Sequence, residues 1–152
     1  MTNSITDWGL DLIASCWTTA GDAEPYGGFG ENRERSNIPI LDRISLTAAG
    51  GWRGFGIVHA DIVEARETIG LSRVRTALED HGLADHVQVE ILTNWWAVGE
   101  TRVTSDLVRR DLLEAASILG AAEIKILGSY DPGAPVDDDV MREAFWELSQ
   151  QA

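Results

Sequence analysis

The sequence predicts an α/β protein of four successive strand-helix units around a parallel sheet. Three observations predict it. A helical pattern, a glycine and a short β-rich run recur three times along the chain. An opening run, Leu10 to Trp17, has no helix before it and reads as the first strand. The later strands carry one apolar face and one partly polar face.

The three recurrences set the register of the fold. Ala48-Ala49-Gly50-Gly51 leads into Phe55 to Asp61, His81-Gly82-Leu83 into Val87 to Leu92, and Leu119-Gly120-Ala121 into Ile124 to Leu127. In each, a glycine supplies the left-handed backbone that closes a helix before the chain turns into a strand.

The segments between strands read as helices. Pro39 opens one that carries Ile40, Leu41, Ile44 and Ala48 at helical spacing. Ser72 caps a second with Val74, Ala77 and Leu78 inward. Thr104, with Asp106 in the first turn, caps a third that buries Leu107, Leu112, Ala115 and Leu119. Asp137 to Asp139 opens a fourth, with Met141, Ala144, Phe145 and Leu148 on one face. The order β-α-β-α-β-α-β-α implies parallel strands with right-handed crossovers.

Side-chain parity favours one of the two architectures that share this order. In the third strand Val87, Val89 and Ile91 oppose Gln88, Glu90 and Leu92; in the fourth, Ile124 and Ile126 oppose Lys125 and Leu127. A central strand covered by helices on both faces would be apolar on both. A strand whose second face lines the inside of a barrel carries polar groups there. The expected fold is a parallel (βα)4 half of a TIM barrel, a single domain over 1–152, with a small doubly wound α/β domain as the alternative. A long first βα loop spans about 20–37. Its Gly21, Gly27, Gly28 and Gly30, with Pro25, Tyr26 and Phe29, suit a lid but lack the spacing of a phosphate loop.

The composition removes several function classes. A formal charge of -13, from 25 acidic and 12 basic residues, repels a phosphate backbone, and Arg33 and Arg35 sit among Glu31 and Glu34. No nucleic-acid partner is expected. Cys16 is the only cysteine, which excludes an internal disulfide and suits a cytoplasmic location. The apolar runs are strand-sized, so no membrane association is expected.

Candidate site residues follow from the strand ends. His59 closes the second strand on the parity of Phe55 and Ile57, taken as inward, where metal ligation, proton handling or a plain loop contact are all open; Asp61 orients it or caps the next turn. Glu90 and Lys125 fall on the inward side of adjacent strands, where they form an internal ion pair, hold a substrate, or both. Trp17, Trp95 and Trp96 cluster at strand ends, where rings stack on sugars or pack under loops, and Asn94 offers amide hydrogen bonds.

The succession Gly51-Trp52-Arg53-Gly54-Phe55-Gly56-Ile57-Val58-His59-Ala60-Asp61, Val89-Glu90-Ile91-Leu92-Thr93-Asn94-Trp95-Trp96 and Ala115 to Leu127 resembles the sugar phosphate isomerase/epimerase family, with its xylose isomerase-like TIM barrel. A complete barrel takes about 250 residues, so the resemblance covers the N-terminal half, truncated after the fourth helix. It implies metal-assisted proton transfer on a sugar or related keto substrate, with His59, Glu90 and Lys125 catalytic and Trp17, Asp61, Asn94 and Trp95 on the substrate. The divalent metal it implies (Mn, Zn, Mg or Co) draws its ligands mainly from later strands; no ligand is assignable in residues 1–152. A sugar-like small molecule is the expected ligand, and a second copy or a complementing half-barrel the expected partner. A non-catalytic half-barrel that associates with itself or another chain is the second expectation.

Overall fold

Glycines and prolines punctuate the chain where the sequence pattern places them, and the elements fall between. The computed structural model describes residues 11–24, 34–128 and 137–151. Among these, β1 (Ile13–Ala14), β2 (Gly54–Val58), β3 (Val87–Leu92) and β4 (Glu123–Ile126) form one parallel sheet whose spatial order follows the sequence. The α-helices are α1 (Ile40–Ala49), α2 (His59–Thr68), α3 (Leu71–Asp80), α4 (Gly99–Leu119) and α5 (Asp138–Ser149), and a 3-10 turn, Cys16–Thr18, follows β1. The first strand is thus far shorter than the run from Leu10 to Trp17. The lid residues Pro25, Tyr26, Gly27, Gly28, Phe29 and Gly30 lie outside the described residues.

The register shows which face is which. Phe55 pairs with Val87, Ile57 with Val89 and Val89 with Ile124, and the first four of these lie in one core with Ile44, Ile62, Val74, Leu78 and Leu112 from the helices. Ile124 and Ile126 pack against that core. The opposite face carries Gly56 and Val58 on β2, Gln88 and Glu90 on β3, and Glu123 and Lys125 on β4. Each fully buried leucine or isoleucine of the core contributes about 1.5–3 kcal/mol.

Several expectations are corrected; Gly70, rather than Ser72, stands at the N-cap of α3. The second strand ends at Val58; His59 and Asp61 belong to α2, which begins with no loop between. Phe55 and Ile57 consequently face the helices, because the other face of β2 is crowded: a Cβ at Gly54 would lie 2.3 Å from the His86 carbonyl oxygen. The β3–β4 ladder slips between Glu90 and Leu92, so Leu92, rather than Ile91, joins Val87 and Val89 in the core. Helix α4 begins at Gly99, so Thr104 is an interior residue whose hydroxyl donates to the Glu100 carbonyl at 3.2 Å, and Leu107 is exposed.

Two capping expectations hold. α4 ends at Gly120 with φ 67°, a left-handed conformation that costs glycine nothing. Asp137 caps α5, accepting from the amides of Asp139 at 2.9 Å and Val140 at 3.3 Å. No helix among the described residues is long and apolar enough to cross a membrane.

Candidate functional site

The polar face of the sheet centres on Glu90, whose side chain sits in the row Val58, Glu90, Lys125. Glu90 is 0% exposed, and a buried carboxylate is tolerated only when paired and hydrogen-bonded. Both of its oxygens are served. Lys125 Nζ donates to Oε2, while the Cys16 amide donates to Oε1 at 3.1 Å and the Ser15 hydroxyl lies 3.5 Å from the same oxygen. The internal ion pair expected from strand parity is therefore present. The Lys125 side chain remains 34% exposed, unlike the carboxylate it pairs with.

Gly56 makes this arrangement sterically possible. A Cβ there would lie 2.6 Å from Glu90 Oε1 and 2.8 Å from the Cys16 amide nitrogen. The bare backbone of β2 lets the 3-10 turn descend onto the carboxylate.

A second buried pair adjoins the first. Arg43, on α1, is 0% exposed; its Nη1 donates to Asp61 Oδ2 at 2.6 Å and its Nη2 to the Cys16 carbonyl at 2.9 Å. Its guanidinium carbon lies 5.8 Å from the centre of the Phe55 ring. Burial pushes the Asp61 carboxyl above its ordinary value, and Arg43 pulls it partly back. Burial also pushes the Cys16 thiol far up, with the charge of Glu90 adding to the effect, so Cys16 is no nucleophile here. Asp61, expected to orient His59 or cap the turn after it, instead neutralises Arg43.

His59 is carried elsewhere. As the first residue of α2 its Nε2 lies 2.9 Å from Asp111 Oδ2 on α4, and Arg66 Nη1 donates to the other oxygen at 2.9 Å. Burial raises the Asp111 carboxyl, but the bonds from His59 and Arg66 outweigh it and hold it below the usual range. This cluster joins two helices, so the expected grouping of His59 with Glu90 and Lys125 does not form.

The aromatic cluster divides as well. Trp95 is 8% exposed, donates from Nε1 to the Leu127 carbonyl at 2.9 Å, and meets Trp96 and Phe145 edge-on at 5.1 and 6.0 Å. It is a packing residue under α5. No ring contact joins Trp17 to either. Asn94 is exposed, with φ 55°, at the rim of a cavity of about 420 Å³ beyond the C-terminal end of β3. Hydroxyls of Thr93, Thr101, Thr104 and Ser105 line the same cavity with Glu100.

One residue of the site, Arg43, has a signal in the sequence that strand parity does not use. Arg43 lies on the apolar stripe of Ile40, Ile44 and Thr47, where a charge must find a buried partner. Lys125 is the only lysine in the chain, against eleven arginines. For the divalent metal, no group of three or more His, Cys, Asp or Glu side chains converges among the described residues, and Glu90 has both oxygens engaged. These residues do not fit a metal. No protein-family model and no curated protein sequence matches the chain.

Proposed function

We propose that the chain is the (βα)4 half of a TIM barrel of the sugar phosphate isomerase/epimerase type, and that the polar face of its sheet binds a sugar-like keto or aldehyde compound. The sequential strand order supports the barrel, since a doubly wound sheet reverses its order at a switch point. The observation that carries the function is the Glu90–Lys125 pair: a single ammonium held by a fully buried carboxylate, on the parallel-sheet face that also carries Gly56, Val58, Gln88 and Glu123. In this reading Lys125 faces the substrate carbonyl oxygen and stabilises the negative charge that develops there when the neighbouring carbon loses a proton to solvent, which returns a deuteron in D2O. Asn94 and the hydroxyls around it suit the polyol end of such a substrate.

Deuterium wash-in tests the reading. A panel of aldose and ketose phosphates is incubated with the protein in D2O and followed by proton NMR at the carbon beside the carbonyl. Wash-in that disappears in Lys125→Met supports the proposal; neither wash-in nor any saturable response from the panel sinks it.

A second reading, self-association, rests on a different observation. β4 pairs only with β3 among the described residues, and a groove of about 450 Å³ beside it is lined by Leu112, Leu113, Ile124, Ile126, Phe145 and Leu148. Phe145 and Trp146 are exposed nearby. Light scattering decides: a mass twice that of the chain, returned to one by Phe145→Glu, supports pairing of two copies, and a concentration-independent monomer excludes it.

A further inference from the structure

The two buried ion pairs are joined through one residue. The Cys16 carbonyl accepts from Arg43 Nη2 at 2.9 Å, and the Cys16 amide donates to Glu90 Oε1 at 3.1 Å. Arg43 is in turn aimed by Asp61 at 2.6 Å and by Thr19 Oγ1 at 3.4 Å. The chain of contacts Asp61, Arg43, Cys16, Glu90, Lys125 therefore runs from α2 through α1 and the 3-10 turn to β3 and β4.

We infer that Arg43 is a positioning residue for Lys125, acting through the 3-10 turn and Glu90. The turn is only three residues long, and with its carbonyl held from behind by Arg43 its amide points at Glu90. Glu90 cannot swing toward solvent without giving up the Cys16 amide, and Lys125 follows Glu90. A guanidinium suits the distal place because its rigid fork serves a carboxylate and a carbonyl at once. An ammonium suits the proximal place because it gives one donor to Glu90 and keeps others for a ligand. The division of labour also reassigns Glu90. With both oxygens engaged it holds Lys125 in place, and the ammonium is the group that meets the substrate. The inference rests on the reading of Lys125 as the ligand-facing group, yet its test involves no substrate, so either can fail without the other.

The single lysine makes the test clean. Protein labelled with [ε-13C]lysine yields one side-chain resonance, and peptide mass mapping gives the acetylation rate of the same amine. Two variants remove the relay: Arg43→Gln, and the double variant Arg43→Met with Asp61→Leu, which replaces a buried pair by apolar groups and is often tolerated. Glu90→Gln supplies the signature of a released ammonium. In whichever relay variant melts cooperatively with wild-type circular dichroism, the Lys125 resonance is expected to move toward that of Glu90→Gln. Acetylation is expected to run roughly fivefold faster, the factor for one lost hydrogen bond. A folded relay variant with wild-type resonance and wild-type acetylation overturns the inference. Should neither variant fold, hydrogen exchange of the wild-type Cys16 amide decides. Slowing by roughly tenfold or more supports a held turn, and exchange at the rate of an open chain overturns it.

Discussion

Gly56 and Glu90 compete for one space: a side-chain carbon on the glycine would stand 2.6 Å from Oε1 of the glutamate. The Cys16 nitrogen and the Ser15 Cα, at 2.8 and 3.1 Å, close the remaining directions, and both are backbone atoms that cannot rotate away. Gly56→Ala is therefore expected to cost about 1–3 kcal/mol, the usual range for overpacking a filled site. Urea denaturation measures it, and an unchanged midpoint would show that the turn can lift off the strand freely.

Trp95 separates packing from ligand binding. Trp95→Phe keeps most of the buried area and loses the bond to the Leu127 carbonyl, for an expected loss of about 1 kcal/mol. Trp95→Ala empties the space under α5 and is expected to cost about 3–5 kcal/mol. Thermal melts of the two variants give the ratio. Equal, negligible losses would place the ring outside the core.

Two carboxylates move stability with pH in opposite directions. Asp111 is held below its ordinary 3.8, so its contribution is present above that pH and is lost as pH falls through the depressed value. Asp111→Asn is expected to cost about 0.5–1 kcal/mol at neutral pH, as partly exposed pairs do, and to cost nothing at a pH well below 3.8. Asp61 is raised above 3.8, so the folded state holds its proton more tightly than the unfolded chain does. Its contribution is complete below 3.8 and fades as pH climbs through the raised value. Chemical denaturation of each Asn variant beside wild type across pH 3–7 checks both signs.

Cys16 is expected to be silent toward thiol reagents while the protein is folded, since burial and the adjacent Glu90 both disfavour the thiolate. Labelling with a disulfide reagent should proceed only as fast as the protein opens. A rate proportional to reagent concentration throughout, near that of a free thiol, contradicts the buried turn.

The parts of this fold legible in the sequence are those with local causes. Gly120 ends α4 and Asp137 begins α5 because capping depends on neighbours within a turn. Lys125 and Glu90 meet because strand parity survives from Gln88 to Glu90 and from Glu123 to Ile126. What escaped depends on tertiary packing. The handover from β2 to α2 carries no loop to mark it, and Asp61 sits on the buried side of α2, which spoils the helical stripe. His59 therefore reads as a strand end although it opens α2. The slip between Glu90 and Leu92 exchanges Ile91 for Leu92 without a glycine or proline to announce it. Arg43 is charged, and only its distant partner Asp61 makes its burial intelligible.

The direct passage from Val58 into His59 also constrains how length can change. A residue inserted at that junction would rotate all of α2 by about 100°. Ile62 and Ala65 would leave the core, and Asp61 would turn away from Arg43. Between β3 and α4 the chain is anchored at Trp95, but Val98, just ahead of α4, is exposed and leaves room for such an insertion. Insertions and deletions at this end of the sheet would accordingly be accepted after β3 and refused after β2, giving the rim one rigid quadrant beside an adjustable one.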